Sequence, residues 1–162
     1  PTLTPAPQRP LATNTPVVLV TLPPPTQAPP TQAPLPTPQN FPDWRADYWA
    51  NSSFQGEPAV TRNEPVLDFD WRTGSPEGRI PLDNFSARWQ RALYFDGGTY
   101  RFTLRVDDGA RMYVDNVLVL DAFQDGGVRT SETVITLGRG THAIRVDYFE
   151  RTGLAGAGVP LG

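Results

Sequence analysis

The chain has 162 residues, including 19 prolines, 14 glycines and no cysteine, and its 14 basic and 17 acidic side chains leave a formal net charge of −3. The lack of cysteine excludes a disulfide framework, a thiolate metal site and a cysteine nucleophile. Every basic residue is arginine, the charge is slightly negative and no basic patch is evident, so a nucleic-acid partner is set aside. No apolar run is long enough to span a membrane as a helix, and direct membrane insertion is not expected.

Composition divides the chain near Phe41. Residues 1–40 contain Arg9 as their only charged side chain and hold most of the prolines, with threonine, alanine and glutamine between them, a mixture that builds no packed core. The pentapeptide Pro-Pro-Thr-Gln-Ala occurs at Pro24 to Ala28 and again at Pro29 to Ala33, which predicts an extended polyproline-type arm. Within it, Thr15 to Leu22 is a short, mostly β-branched run around Val17, Val18, Leu19 and Val20. Such a run favours a strand. Either it pairs with a sheet edge, since an exposed one is an aggregation hazard, or it lies unpaired in a stalk. Residues 23–40 in polyproline form would span roughly 56 Å, against a radius of gyration near 14 Å for a domain of about 120 residues. That reach favours a neighbouring copy as the partner. Pro/Thr stalks also favour an extracellular, cell-surface location and O-linked sugars, for which Thr4, Thr15, Thr26, Thr31 and Thr37 are candidates. Asn51-Ser52-Ser53 and Asn84-Phe85-Ser86 fit the N-glycosylation triplet.

From Phe41 to Gly162 the pattern is all-β. Predicted strands are Trp44 to Trp49, Val66 to Trp71, Ser86 to Tyr94, Gly98 to Val106, Ala110 to Val114, Val117 to Asp121, Ser131 to Leu137 and Thr141 to Glu150. Turn signals separate them at Gly74-Ser75-Pro76, Asp96-Gly97-Gly98, Asp125-Gly126-Gly127 and Gly138-Arg139-Gly140. No helical period is sustained, so the expected architecture is a sandwich of two antiparallel sheets. Trp71 and Trp89 read as core; of Trp44 and Trp49, one is placed to face a partner.

The stretch Arg105 to Asn116 concentrates the chemistry. Tyr100, Phe102, Leu104 and Val106 alternate with polar residues, the period of a strand with one buried face. This strand runs into Asp107-Asp108-Gly109, which are poor strand formers. Two carboxylates at a strand end can hold a hard cation such as calcium, while the dipeptide taken alone reads first as two solvated loop aspartates. Adjacent strand residues point to opposite faces, so a shared ion requires a distorted backbone between them, as a cis peptide would provide.

Together with Trp44, Asp47-Tyr48, Gly56-Glu57-Pro58, Asp68-Phe69-Asp70-Trp71, Asn84 to Trp89, Gly98 to Phe102, Val114-Asp115 and Ile144 to Glu150, this stretch resembles the protective-antigen type β-sandwich domain. That domain is shared by anthrax protective antigen, yeast flocculins and bacterial glycosidase accessory modules, and the matching marks span nearly everything from Phe41 onward. In the sugar-binding flocculin branch the pair matching Asp107-Asp108 has a cis peptide and binds calcium, which bridges to sugar hydroxyls. The resemblance therefore implies calcium at Asp107 and Asp108. The same branch uses a polar residue from a late loop, the region of Glu150 and Arg151. Other members keep the pair as a structural element.

No catalytic constellation is present. His142 is the only histidine and falls on the same strand face as Ile144 and Val146, where a hydrogen-bonded sheet histidine is expected rather than a general base. Gly74-Ser75-Pro76-Glu77-Gly78 lacks the spacing of a nucleophile elbow, and Gly153 to Gly158 reads as a flexible closing segment rather than a phosphate loop. Two non-catalytic functions follow. The first is a filament subunit whose Val17 to Val20 strand augments a neighbouring copy's sheet. The second is a calcium-dependent glycan-binding module in which Asp121, Asp125, Glu150 and Arg151 shape a pocket beside Asp107 and Asp108.

Overall fold

A computed structural model describes residues 40–159, so the run at Val17 to Val20 and the arm threonines lie outside the described residues. Eight strands make up the fold: β1 (Trp44–Trp49), β2 (Val60–Glu64), β3 (Asp68–Arg72), β4 (Phe85–Asp107), β5 (Gly109–Val114), β6 (Val117–Ala122), β7 (Arg129–Glu150) and β8 (Ala155–Gly158). Among the described residues there is no helix.

The organising pair is β4 with β7, of 23 and 22 residues. They run antiparallel in one register from Phe85↔Glu150 to Val106↔Arg129. One end of this ribbon forms the middle of a layer ordered β2-β1-β4-β7-β5-β6. Its other end forms a second layer with β8, which pairs with Arg105 to Asp107 of β4 and carries β3 beyond it. Both long strands therefore belong to both layers of an all-β sandwich. The ribbon passes between layers at Gly97 and Gly98, opposite Gly138 and Gly140. Positive φ values of 85°, 135° and 147° at Gly97, Gly98 and Gly140 are conformations that only glycine adopts without steric cost.

The core lies between the layers because each strand turns alternate residues inward. Phe85, Ala87 and Trp89 are buried from one half of β4 and Phe102, Leu104 and Val106 from the other. Phe69 and Trp71 of β3 stack on Trp89 with ring centroids 5.5 and 6.3 Å apart, and Tyr48, Phe85 and Tyr148 pack around Trp71. Trp71 and Trp89 are core rings, as their alternation predicts.

Several expectations are corrected. The turn signals at Asp96-Gly97-Gly98 and Gly138-Arg139-Gly140 do not end strands, since pairing resumes in unbroken register on both sides. Strand β2 was not anticipated; only Val60 and Glu64 of it are buried, and Glu64 is kept inside by the Tyr48 hydroxyl at 2.9 Å and Arg62 Nε at 2.5 Å. The glycine-rich tail is not a flexible closing segment but β8, paired on both sides. Its glycines have a packing reason, because a Cβ at Gly158 would meet Asp68 Oδ1 at 2.9 Å and one at Gly156 would meet the Phe69 carbonyl oxygen at 3.1 Å. Neither Trp44 nor Trp49 faces outward, at 2% and 7% exposure.

Candidate functional site

Strand β4 ends at Asp107 and β5 begins at Gly109, so Asp108 occupies the junction, and the Asp107-Asp108 peptide bond is cis. A loop after β6 folds against this junction, which is why the following residue is glycine. A Cβ on Gly109 would lie 2.6 Å from Phe149 Cε1 and 2.8 Å from the Gln124 amide nitrogen. That close approach brings the Gly126 N–H to Asp108 Oδ1 at 3.0 Å, while the Arg151 N–H donates to Asp108 Oδ2 at 2.8 Å. Asp108, 3% exposed, is thereby held between the β6–β7 and β7–β8 loops by one backbone donor per oxygen.

Asp107 differs from its neighbour. Among the described residues its carboxylate receives no hydrogen bond, and it lines a cavity of about 360 Å³ with Asp70, Arg72, Arg105, Val128, Leu154 and Gly156. Gly156 of β8 lies in register between Asp70 on β3 and Asp107 on β4, so no side chain separates these two acids along that row. The lining mixes exposed apolar side chains, Val128 and Leu154, with the exposed charged side chains of Asp70, Arg72 and Arg105, of which Arg72 Nε and Asp70 Oδ2 lie 3.8 Å apart. Burial, and then the charge of Asp108, raise the Asp107 carboxyl above its ordinary range, against the lowering influence of Arg129 and Arg105.

Behind the pair lies a buried proton network. The Tyr148 hydroxyl contacts the Asp107 carbonyl oxygen and lies 2.9 Å from Glu150 Oε2. One hydroxyl proton cannot serve two acceptors. Both contacts are satisfied when Tyr148 donates to the carbonyl and a protonated Glu150 donates to Tyr148. Glu150 suits that role: it is fully buried, its Oε1 has no hydrogen-bond partner, and burial pushes its carboxyl up to about 7. The charges of Asp108, Asp107 and Asp83 add to that rise, and only a Tyr148 hydroxyl turned to donate to Glu150 instead would oppose it.

The residues expected around the pair are not all in one place. Glu150 sits beneath Asp107 and Asp108 through Tyr148. Arg151 supplies its main-chain N–H to Asp108, while its side chain lies 3.7 Å from Asp125 Oδ2. Asp121 is on the six-strand layer, bonded to Arg111 Nε at 3.2 Å and to the Phe123 N–H at 3.0 Å, and neither Asp121 nor Asp125 lines the cavity beside Asp107. Sequence reasoning missed Asp70, Arg105, Val128 and Leu154. The alternation of Asp70 with Phe69 and Trp71, and of Arg105 with Leu104 and Val106, already put two of these on the outward face. Their juxtaposition depends on β8 lying between β3 and β4, a non-local pairing.

The donor set suits a hard cation, being all oxygen, with one carboxylate uncommitted and the other already oriented by amides. Among the described residues no group of three or more His, Cys, Asp or Glu side chains surrounds a common point. Asp107 and Asp108 would thus supply two carboxylates, and the other places would fall to carbonyl oxygens, water or ligand hydroxyls.

Comparison with known proteins gives the family. Over 117 residues the chain is 32% identical to the anti-sigma-I factor RsgI3 of Acetivibrio thermocellus, covering 70% of this chain and 18% of that protein. A solved anti-sigma factor domain-containing protein is 30% identical, with a TM-score of 0.67 over 72% of this chain and 41% of that one. The chain thus spans less than half the length of either relative. The PA14 sugar-binding domain of an RTX adhesin has the same fold at 18% identity, with a TM-score of 0.60 over 73% of this chain and 88% of that domain. The pattern that defines the PA14 domain matches residues 45–161, most of the chain, and the chain therefore belongs to the PA14 domain family.

Proposed function

We propose that this domain is a non-catalytic extracellular module that binds glycans with the help of calcium held by Asp107 and Asp108. The observation that carries the reading is the Asp107 carboxylate, which receives no hydrogen bond among the described residues and lines a cavity of mixed apolar and charged side chains. Saccharides need both surfaces, C–H groups against Val128 and Leu154 and hydroxyls toward Asp70, Arg105 and the aspartate pair. Bound calcium would neutralise the two carboxylates and accept sugar hydroxyls as ligands. The protein's own part is orientation, in which Gly126 and Arg151 amides fix Asp108 and Tyr148 fixes the Asp107 carbonyl. The sugar-binding title of the RTX adhesin domain supports the ligand class, and the small share of RsgI3 that aligns supports a module within larger proteins. Glycan-array binding with calcium and with EDTA tests the reading. Calcium-dependent signals that fall at least tenfold in Asp107→Asn are expected, and binding untouched by both EDTA and the substitution would refute it.

A second role is compatible with the first. The sheet ends in strands with an unpaired side, among them β2 and β6, and β6 exposes Val117 and Leu118. The aliphatic run Val17 to Val20 has the composition to add to such an edge on a neighbouring copy, giving a surface filament. Negative-stain microscopy of the full chain, of a form beginning at Phe41 and of Val18→Asp/Val20→Asp tests this. Filaments from the full chain alone are expected, and filaments from the double variant would end the idea.

A further inference from the structure

A second cavity of about 360 Å³ opens on the six-strand layer, lined by Phe54, Phe123, Arg111, Arg151, Ser53 and Asp147 among others. It shares none of these residues with the cavity beside Asp107. Its aromatic wall is built deliberately. Phe54 holds a left-handed backbone, φ 57°, which a bulky side chain rarely adopts. Asn51 fixes it, accepting the Ser53 and Gln55 N–H groups at 3.1 and 2.9 Å and donating to the Gln55 carbonyl at 2.9 Å. The Phe54 ring is thereby set nearly parallel to Phe123, centroids 6.3 Å apart and planes 27° from each other.

Charge distinguishes this wall from an ordinary apolar patch. Asp147 is already neutralised by Arg88, through bonds of 2.6 and 2.9 Å. Arg111 stacks on Phe123 at 4.3 Å and uses only Nε, toward Asp121. Arg151 makes no hydrogen bond to Asp125, its nearest approach being Nε at 3.7 Å. Among the described residues the terminal nitrogens of Arg111 and Arg151 accordingly have no hydrogen-bond acceptor. Two guanidinium forks in a cavity walled by Phe54 and by Phe123, whose ring Arg111 already covers, match a ring with apolar C–H groups and a carboxylate at its edge. Ser53, exposed on the same lining, adds a hydroxyl to it.

We propose that this face is a second saccharide site, independent of calcium and selective for a uronic acid ring. The ligand class rests on the glycan-binding reading above, but the site does not involve Asp107. Calorimetry of the full chain in EDTA, with a glucuronate oligosaccharide and its carboxyl-reduced form, decides it. Binding of the acidic form, at least tenfold weaker for the reduced form, for Arg111→Gln and for the exposed-loop variant Arg151→Gln, and unchanged in Asp107→Asn, is expected. No binding by the folded chain in EDTA, equal binding of the reduced form, or binding that survives both arginine substitutions overturns the proposal. If the Asp107 reading alone fails, calcium-dependent binding of neutral glycans is missing while the EDTA-resistant uronate binding stays.

Discussion

Glu150→Gln should flatten the pH dependence of the domain's stability. The buried carboxyl is raised from 4.5 to about 7, so the folded chain holds this proton more tightly than the unfolded chain. Its contribution is complete below pH 4.5 and is lost as pH rises through about 7. The shift corresponds to on the order of 3 kcal/mol lost between those limits, a large part of a small domain's stability. Glutamine keeps the donor to Tyr148 without the charge. Urea unfolding of both proteins, in EDTA and at pH values spanning the window, measures the difference. The variant should match the wild type at the acid end and exceed it at neutral pH. A wild type whose stability, relative to the variant, is constant or rises across the window would refute the network drawn through Tyr148.

Gly109→Ala should destabilise by about 1–3 kcal/mol, because the Cβ meets the Gln124 backbone at 2.8 and 2.9 Å; thermal unfolding measures this, and faster amide exchange at Gly126 should report loosening around Asp108. The single histidine, His142, has Nδ1 2.6 Å from Asp115 Oδ2 and Nε2 3.0 Å from the Gly138 carbonyl, two acceptors that favour the charged ring and raise its pKa above 6.5. Its stabilisation is whole below that value and fades as pH rises through the raised one, so an NMR titration should show a pKa above the ordinary range that falls back in Asp115→Asn. Arg88→Met strips two bonds from Asp147, itself 6% exposed, and should cost about 1–3 kcal/mol. Adding Asp147→Asn should recover part of that loss in a double-mutant cycle, and strict additivity would show that the pair is not coupled.

Strand positions were legible because burial follows a period of two. Phe102, Leu104 and Val106 announce their face without any knowledge of their neighbours. Strand length was not legible. Glycines that end a strand and glycines that let one pass between layers look alike in sequence, and only the unbroken pairing of Asp96 with Arg139 and Gly98 with Leu137 separates the cases. Strand β8 was hidden for the opposite reason. Ala155 to Gly158 has no strand-forming side chains, and its place is set by the lack of room beside Phe69 and Asp68.

At the site, the aspartate pair stood out because strand-breaking acids follow an alternating strand. Its surroundings arise from pairings far apart in the chain. Arg151 reaches Asp108 across 43 positions and Tyr148 reaches Asp107 across 41, distances at which local pattern carries no information. The same is true of the opposite layer, where register aligns Thr61, Asp47, Arg88, Asp147, Arg111 and Asp121 in one row across six strands. Taken singly each is an ordinary outward polar residue. Aligned, Asp47 sits beside Arg88, Arg88 beside Asp147 and Arg111 beside Asp121, so alternating charges compensate one another along the row. Arg111 nevertheless retains unused donors, since it bonds Asp121 through Nε alone while Asp147 takes its two bonds from Arg88. Binding capacity on that face therefore belongs to the register of the sheet, and a one-residue slip of β5 against β7 would remove it without changing any residue.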